Sequence, residues 1–203
     1  MNEPWNEFYE RCRIEIVWPL FENERDAYLH AIGSISQNWN TLEETFYTFL
    51  VFSEIPDGVA RYLGYKMNNN DKMEVMSILA SEFETSNPES YRLARVFFKF
   101  ARVCAGNRNY LMHAQLSSIS DGVCKLQKPS RRSVGQTVSI EITVRELHAM
   151  SQCMKNTMQF GARLQAVMLH FPSGYSQSAD GSLMHWRLLD PPSEPVSWES
   201  YVV

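Results

Sequence analysis

The chain has 203 residues, of which 44% are hydrophobic and 12% aromatic, and its formal net charge is -4 at pH 7. This composition is that of a globular protein and excludes a disordered one, and the length predicts a single well-packed domain. The acidic balance argues against a general nucleic-acid coat protein, although a local basic patch can still hold a phosphate backbone on an acidic protein.

The cysteines and the motifs that the sequence lacks exclude further classes of protein. Cys12, Cys104, Cys124 and Cys153 stand apart, with no Cys-x-x-Cys pair and no histidine cluster at metal-ligand spacing. We therefore expect a reduced compartment, no structural metal and no cofactor. The sequence has no phosphate-binding G-x-x-x-x-G-K-[ST] loop, G-x-G-x-x-G, G-x-S-x-G or H-E-x-x-H motif. No signal-peptide pattern and no run of about 18 apolar residues occurs, so we expect a cytoplasmic protein with no membrane partner.

The first part of the chain has the spacing of helices. Apolar residues recur every three or four positions from Ile32 to Phe49, which predicts a helix over about 24–54 that ends at Pro56, Asp57 and Gly58. Two shorter helical patterns, GVARYLGYK and DKMEVMSILASEF, follow on either side of the polar break MNNN. We expect helices at both.

A second long helix is announced by its start signals. Asn87 is a capping residue, Pro88 stands at the first helical position, and Glu89 supplies an acid in the first turn. Apolar residues then mark a buried face, so we predict a helix from Pro88 to about Leu116, stopped by the segment SSISDGV.

The pattern changes after this helix. Val138, Ile140 and Ile142 alternate with polar residues, which predicts a strand, and GVCKLQK at 122–128 is its expected hairpin partner. Thr143 and Glu146 form a capping box that opens a last long helix to about Phe171. We predict a mainly α protein, a helical bundle over 1–171 with a small β-hairpin (about 122–142) inserted before the last long helix.

Residues 172–203 contain four prolines and many serines, but also Trp186 and Trp198. This composition predicts an irregular tail that docks on the body through its aromatic residues.

The stretch AGNRNYLMHAQ interrupts the apolar face of the second long helix with polar groups. Asn107 falls on the apolar stripe itself and must find hydrogen-bond partners. Asn109 and His113 lie four residues apart and share a face, whereas Arg108 and His113 point about 140° apart on an ideal helix. Either the long arginine side chain wraps around, or two copies of the helix pool their residues in a symmetric dimer.

Arginine and histidine together suffice for metal-free cleavage of RNA. A histidine such as His113 can take the proton of the 2′-OH, and an arginine such as Arg108 can stabilise the charge that grows on the phosphate. DNA lacks that hydroxyl and should survive.

The hexamer RNYLMH, residues 108–113, resembles the R-x4-H signature, in its R-N-x-x-x-H form, of the HEPN superfamily (higher eukaryotes and prokaryotes nucleotide-binding domains). The resemblance implies a HEPN-like helical bundle with the motif near the end of a long core helix. It also implies a metal-independent endoribonuclease that leaves 2′,3′-cyclic phosphate and whose site forms across a homodimer. Such proteins act in toxin–antitoxin control, phage defence or RNA processing, so an antitoxin or regulatory protein is a further expected partner.

The same resemblance has implications for two further residues, Glu43 and Gln115. The segment NWNTLEETF is similar to the first core helix of bacterial HEPN-like proteins, which implies that Glu43 can face the motif and join Arg108, Asn109 and His113 as a catalytic residue. Gln115 stands where HEPN toxins silenced by adenylylation carry a tyrosine, so we expect no such switch here.

The loop after the motif is basic. Four cations in KLQKPSRR are candidates to hold RNA, with a solvated loop as the alternative: Lys125, Lys128, Arg131 and Arg132. The alternative functions left open are a non-catalytic HEPN-like module that binds nucleotide, RNA or a protein, and a purely structural polar network.

Overall fold

The computed structural model describes residues 22–52, 55–81, 83–86, 88–130, 135–170, 175–177, 183–185 and 191–202. The fold is mainly helical, with a small antiparallel sheet before the last long helix, which confirms the predicted fold class. The elements in chain order are α1 (Glu24–Phe52), α2 (Asp57–Lys66), α3 (Asn69–Ser81), α4 (Phe83–Ser86), α5 (Pro88–His113), β1 (Gln115–Ser120), β2 (Val123–Pro129), β3 (Thr137–Thr143), α6 (Val144–His170), β4 (Tyr175–Gln177), β5 (Leu183–His185) and a 3-10 helix (Trp198–Tyr201).

Local signals fix where the helices begin. The predicted capping box is present, because the Glu146 carboxylate accepts from the Thr143 backbone N–H at 2.7 Å and the Thr143 hydroxyl accepts from the Glu146 N–H at 3.1 Å. At the start of α1, the side-chain oxygen of Asn23 accepts from the backbone N–H of Asp26 at 2.9 Å. Pro88 is the first residue of α5, as predicted, while its expected cap, Asn87, lies outside the described residues.

The end of α5 differs from the prediction. The helix stops at His113, and Leu116 lies on β1, where it pairs with Leu126 of β2. Asp121 and Gly122, which we predicted as part of a helix stop, form the two-residue turn of a β1–β2 hairpin, with φ angles of 52° and 73°. An Asp-Gly pair favours such a turn because both positions need positive φ.

The sheet has the strand order β1-β2-β3 and all of its pairs are antiparallel. The predicted pairing of β2 with β3 is confirmed, with Cys124 opposite Ile142 and Leu126 opposite Ile140. These four side chains are buried and form one apolar face. A further bridge joins Ile140 to Val202, so the segment after residue 191 also contributes to this sheet.

The chain divides into two compact units. Unit 1 comprises Met1–Asn40, Val103–Lys155 and Ser193–Val203, and it contains the three-stranded sheet. Within it, the Asn38 side chain on α1 donates to the hydroxyl of Ser151 on α6 at 2.8 Å. The Gly122 N–H donates to the Glu24 carboxylate at 2.6 Å, so the hairpin turn is tied to the first turn of α1.

Unit 2 comprises Thr41–Arg102 and Asn156–Pro192. Its core is aromatic. Phe97 of α5 is fully buried, and its ring centroid lies 5.3 to 6.4 Å from four other rings, those of Phe46, Phe49, Phe98 and Phe160. Strands β4 and β5 form a separate two-stranded antiparallel sheet, which falls in the region predicted as an irregular tail.

No helix in the described part of the chain combines the length and the apolar character needed to cross a membrane.

Candidate functional site

The R-N-x-x-x-H hexamer forms the last turns of α5. His113 is the final residue of the helix and its side chain is exposed, as is that of Asn109. Arg108 is partly buried and donates from Nη1 to the side-chain oxygen of Asn109 at 3.3 Å. The helix thus presents an imidazole at its C-terminal end, with the amide and the guanidinium one turn earlier.

Arg108 keeps unused hydrogen-bonding capacity. Its Nε atom is buried and has no hydrogen-bond partner among the residues that the structure describes. A buried N–H of a charged group without a partner is destabilising by about 1–3 kcal/mol or more.

A cavity of about 450 Å³ opens beside the end of the helix in unit 1. Its walls include Asn109, Tyr110, His113, Lys128, Trp198 and Glu199. It therefore brings together two of the predicted catalytic residues and one predicted RNA-binding residue. Arg108 is not among the residues that line it.

Lys128 supplies the positive charge of this cavity. Its ammonium nitrogen donates to the backbone carbonyl of Asn109 at 3.3 Å and lies 5.6 Å from the centre of the Tyr110 ring. Both contacts hold the end of β2 against the last turns of α5. Of the predicted site residues, a phosphate in the cavity would therefore meet the Lys128 cation, the His113 imidazole and the Asn109 amide.

The other predicted cations of the loop are placed differently. Lys125 lies three residues before Lys128 on β2, so its side chain points to the opposite face of the strand. It donates to the Glu141 carboxylate on β3 at 3.1 Å, in a pair that is almost half exposed on both sides. Arg131 and Arg132 lie outside the described residues, and their role in RNA binding stays a prediction.

An aromatic pair forms another wall of the cavity. The rings of Tyr110 and Trp198 stack with their centroids 4.2 Å apart and their planes at 22°. The Tyr110 hydroxyl donates to the carbonyl of Val138 at 3.1 Å. Burial raises the pKa of Tyr110, so its phenol stays neutral near pH 7.

Asn107 explains how Trp198 reaches this position. The side-chain amide of Asn107 donates to the carbonyl of Val196 at 2.9 Å, and its oxygen accepts from the backbone N–H of Trp198 at 2.7 Å. Asn107 is 2% exposed, so both bonds are shielded from water. The polar residue on the apolar stripe is therefore a clamp for the segment that carries Trp198.

Sequence reasoning did not assign Trp198, Glu199 or Tyr110 to the site. Trp198 and Glu199 are distant in sequence from the motif, and Tyr110 stands at one of the variable positions of the hexamer. The signal that pointed to them is Asn107, because a buried amide on an apolar helix face requires partners from another segment.

Glu43 belongs to unit 2. Its carboxylate accepts from the ammonium group of Lys72 on α3 at 2.5 Å. The Lys72 side chain is 9% exposed and that of Glu43 is 34% exposed, so this pair is a partly buried link between α1 and α3. A catalytic role for Glu43 stays a prediction.

The described cysteines and acids suggest no other chemistry. Cys104, Cys124 and Cys153 are buried. Burial, together with the charge of Glu24, raises the pKa of Cys124 to about 11, so it is not a thiolate near neutral pH. Within the described ranges, no group of three or more His, Cys, Asp and Glu residues is arranged to hold a metal ion.

The fold and the cavity define a class in structural terms: a mainly helical protein with a small antiparallel sheet and, at the end of α5, an aromatic-walled cavity that is lined by one lysine, one histidine and one glutamate. Comparisons of the chain with protein-family models, with curated proteins and with solved structures find no match.

Proposed function

We propose that the protein is a metal-independent endoribonuclease of HEPN type, with His113 as the acid/base and Arg108 as the group that stabilises the phosphate. The observation that carries the proposal is the exposed His113 imidazole at the wall of a cavity of about 450 Å³ that also holds the Lys128 ammonium group and the Asn109 amide. These residues combine a proton acceptor with hydrogen-bond donors, one of them a cation, which is the set that phosphodiester transfer needs.

The proposed reaction balances without a metal. The neutral imidazole of His113 accepts the proton of the ribose 2′-OH while O2′ forms a bond to phosphorus. The bond between phosphorus and O5′ breaks, and His113 returns the proton to the leaving O5′. The products are a 2′,3′-cyclic phosphate and a 5′-OH end. The Lys128 ammonium group and the guanidinium group of an Arg108 offset the negative charge that grows on the phosphate oxygens in the transition state.

Arg108 is the reason for proposing a homodimer. It lies partly buried one turn before His113, outside the lining of the cavity, and its Nε has no partner among the described residues. A second copy of the motif helix, related by two-fold symmetry, would bring the partner's guanidinium to the cavity. The proposed active site therefore uses His113 from one copy and Arg108 from the other.

The biological setting is proposed on the family resemblance alone. By that resemblance we assign the protein to toxin–antitoxin control or phage defence, with an antitoxin or regulatory protein as its partner. Expression of the wild type should then slow bacterial growth, and His113→Ala should relieve the effect. Relief by Arg163→Ala, an exposed arginine of α6 outside the motif, would contradict this assignment.

A second candidate function is a non-catalytic module that binds a nucleotide. The Trp198 ring favours it, because it is partly exposed, lines the cavity beside the Lys128 cation and is a flat surface on which a nucleobase can stack. In this case Asn109 and Lys128 are ligands and His113 transfers no proton.

Cleavage of a labelled single-stranded RNA in excess EDTA distinguishes the two functions. The nuclease proposal predicts cutting by the wild type with 2′,3′-cyclic phosphate ends, loss of at least about 100-fold with His113→Ala and a comparable loss with Arg108→Ala. Arg163→Ala, as a matched control, should cut like the wild type. Intact RNA together with tight binding of a nucleotide would support the binding module instead.

A further inference from the structure

A groove in unit 2 carries a stripe of positive charge. Arg92, Arg95, Lys99 and Arg102 follow one another on α5 at spacings of three, four and three residues, so they share one face of the helix over about 15 Å. All four side chains are exposed. They line a groove of about 570 Å³.

The walls of the groove combine these cations with aromatic surface. Tyr91, which is partly exposed, and Phe98, which is buried, also line it, and the Arg95 guanidinium carbon lies 5.9 Å from the centre of the Tyr91 ring. A basic groove with aromatic side chains is the combination that binds single-stranded nucleic acid, because the cations follow the backbone and the flat groups accept stacked bases.

Cations outnumber acidic residues along the groove. Among the described residues that line it there is no carboxylate. Arg92 pairs with Glu89 at 2.6 Å, but the two side chains are 57% and 46% exposed. An exposed pair of this kind contributes little to stability, so Arg92 can exchange Glu89 for a phosphate at low cost. The chain as a whole is acidic, with a formal charge of -4, so the positive charge of the groove is a local feature of the surface.

We propose that this groove binds the phosphate backbone of single-stranded RNA through Arg92, Arg95, Lys99 and Arg102. The choice of RNA rests on the proposed endoribonuclease function, whereas the choice of a polyanion rests on the groove alone. The site is distinct from the cavity at His113, which belongs to unit 1.

Two triple variants of the full chain test the groove. The groove variant carries Arg95→Gln, Lys99→Gln and Arg102→Gln. The control variant carries Lys66→Gln, Lys155→Gln and Arg163→Gln, which removes the same charge from exposed helical positions outside the groove. Glutamine has nearly the helix propensity of arginine and lysine, so both variants should keep the thermal unfolding midpoint of the wild type.

The probe is a fluorescent 2′-O-methyl oligonucleotide of about 12 nucleotides, which cannot be cut through its 2′ position, and the readout is anisotropy as a function of salt. Each phosphate contact adds about 0.7 to the slope of log K against log salt for a single strand. The groove variant should lower this slope by about two and bind about 100-fold more weakly near 0.1 M salt, while the control variant stays close to the wild type. Equal losses in the two variants, no loss in either, or tighter binding of an oligo-glutamate of equal charge would overturn the proposal.

The same proteins show which of the two proposals fails, if only one of them does. If the wild type leaves cleavable RNA intact but only the groove variant loses binding, the nuclease proposal fails and the groove stands. If the wild type cuts RNA and the groove variant binds like the control, the groove proposal fails and the nuclease stands.

Discussion

The contact between Gly161 and Phe97 in unit 2 gives a quantitative prediction for Gly161→Ala. A Cβ atom at position 161 would lie 2.4 Å from Cε2, 2.6 Å from Cζ and 3.0 Å from Cδ2 of Phe97. The ring cannot move away easily, because Phe97 is fully buried among other aromatic rings. Overpacking of this kind is destabilising by about 1–3 kcal/mol, and more when the neighbour is fixed.

A gain in helix propensity opposes this loss. Alanine is favoured over glycine in a helix interior by about 1 kcal/mol. The net expectation for Gly161→Ala is therefore a loss of about 0–2 kcal/mol in the free energy of unfolding, towards the upper end because neighbouring rings hold Phe97 in place. Gly33→Ala is the matched control, because position 33 is also helical and exposed and its added Cβ would have no atom within 4 Å. It should gain about 0.5–1 kcal/mol.

Urea unfolding followed by circular dichroism measures both variants against the wild type. The double variant Gly161→Ala with Phe97→Leu should lose less than the sum of the two single changes, because the smaller side chain makes room for the methyl group. If Gly161→Ala proves as stable as Gly33→Ala, the close packing of α5 against α6 described here is wrong.

Further predictions concern the clamp, a buried histidine and the Glu43 pair. Asn107→Ala should lower the free energy of unfolding by about 1–3 kcal/mol and speed hydrogen exchange at the Trp198 amide, because two partly buried backbone groups lose their partners; an unchanged exchange rate would contradict the clamp. Burial, and secondarily a neighbouring histidine, lowers the pKa of His148 from 6.5 to about 4, so its contribution to stability is complete above pH 6.5 and is lost as the pH falls towards 4. The free energy of unfolding, measured from pH 6.5 down to about 4, should show this loss in the wild type but not in His148→Gln. An equal dependence of that free energy on pH in both proteins would refute the role of His148. Glu43→Gln should be destabilising by about 1–2 kcal/mol in urea unfolding, since the largely buried Lys72 ammonium loses its counter-charge, and Lys72→Met in the same chain should recover part of that loss.

The helices were predictable because their signals are local. The three-and-four spacing of apolar residues and the Thr143–Glu146 capping box depend on neighbours in sequence, and they locate α1, α5 and α6 to within a few residues. The β2–β3 pair was predictable for the same reason, since Ile140 and Ile142 alternate with polar residues.

Strand β1 was missed because its sequence, QLSSIS, has few β-branched or aromatic residues. It is an edge strand whose side chains are mostly exposed, so hydrophobic alternation is almost absent. Its stability comes from pairing with β2, which is a tertiary effect. The turn residues Asp121 and Gly122 were visible in the sequence, but a helix stop and a hairpin turn favour the same residue types.

The candidate site was predictable only in part. The helix that carries Asn109 and His113 follows from periodicity, and Lys128 was among the cations proposed to bind RNA. Trp198 could not be assigned, because nothing local to its segment shows that it stacks on Tyr110. The position of Asn107 on an apolar stripe predicted that its side chain needs hydrogen-bond partners, but only the fold identifies them.

The proposed active site combines His113 from one copy of the chain with Arg108 from another. The most direct test mixes purified, unfolded Arg108→Ala and His113→Ala chains in equal amounts, refolds them together and measures RNA cleavage in EDTA. A shared site predicts that the mixture regains about a quarter of the wild-type activity, because half of the dimers are mixed and each of these has one intact site. A mixture as inactive as either variant alone, from a wild type that cuts RNA after the same refolding, would contradict a site shared between copies.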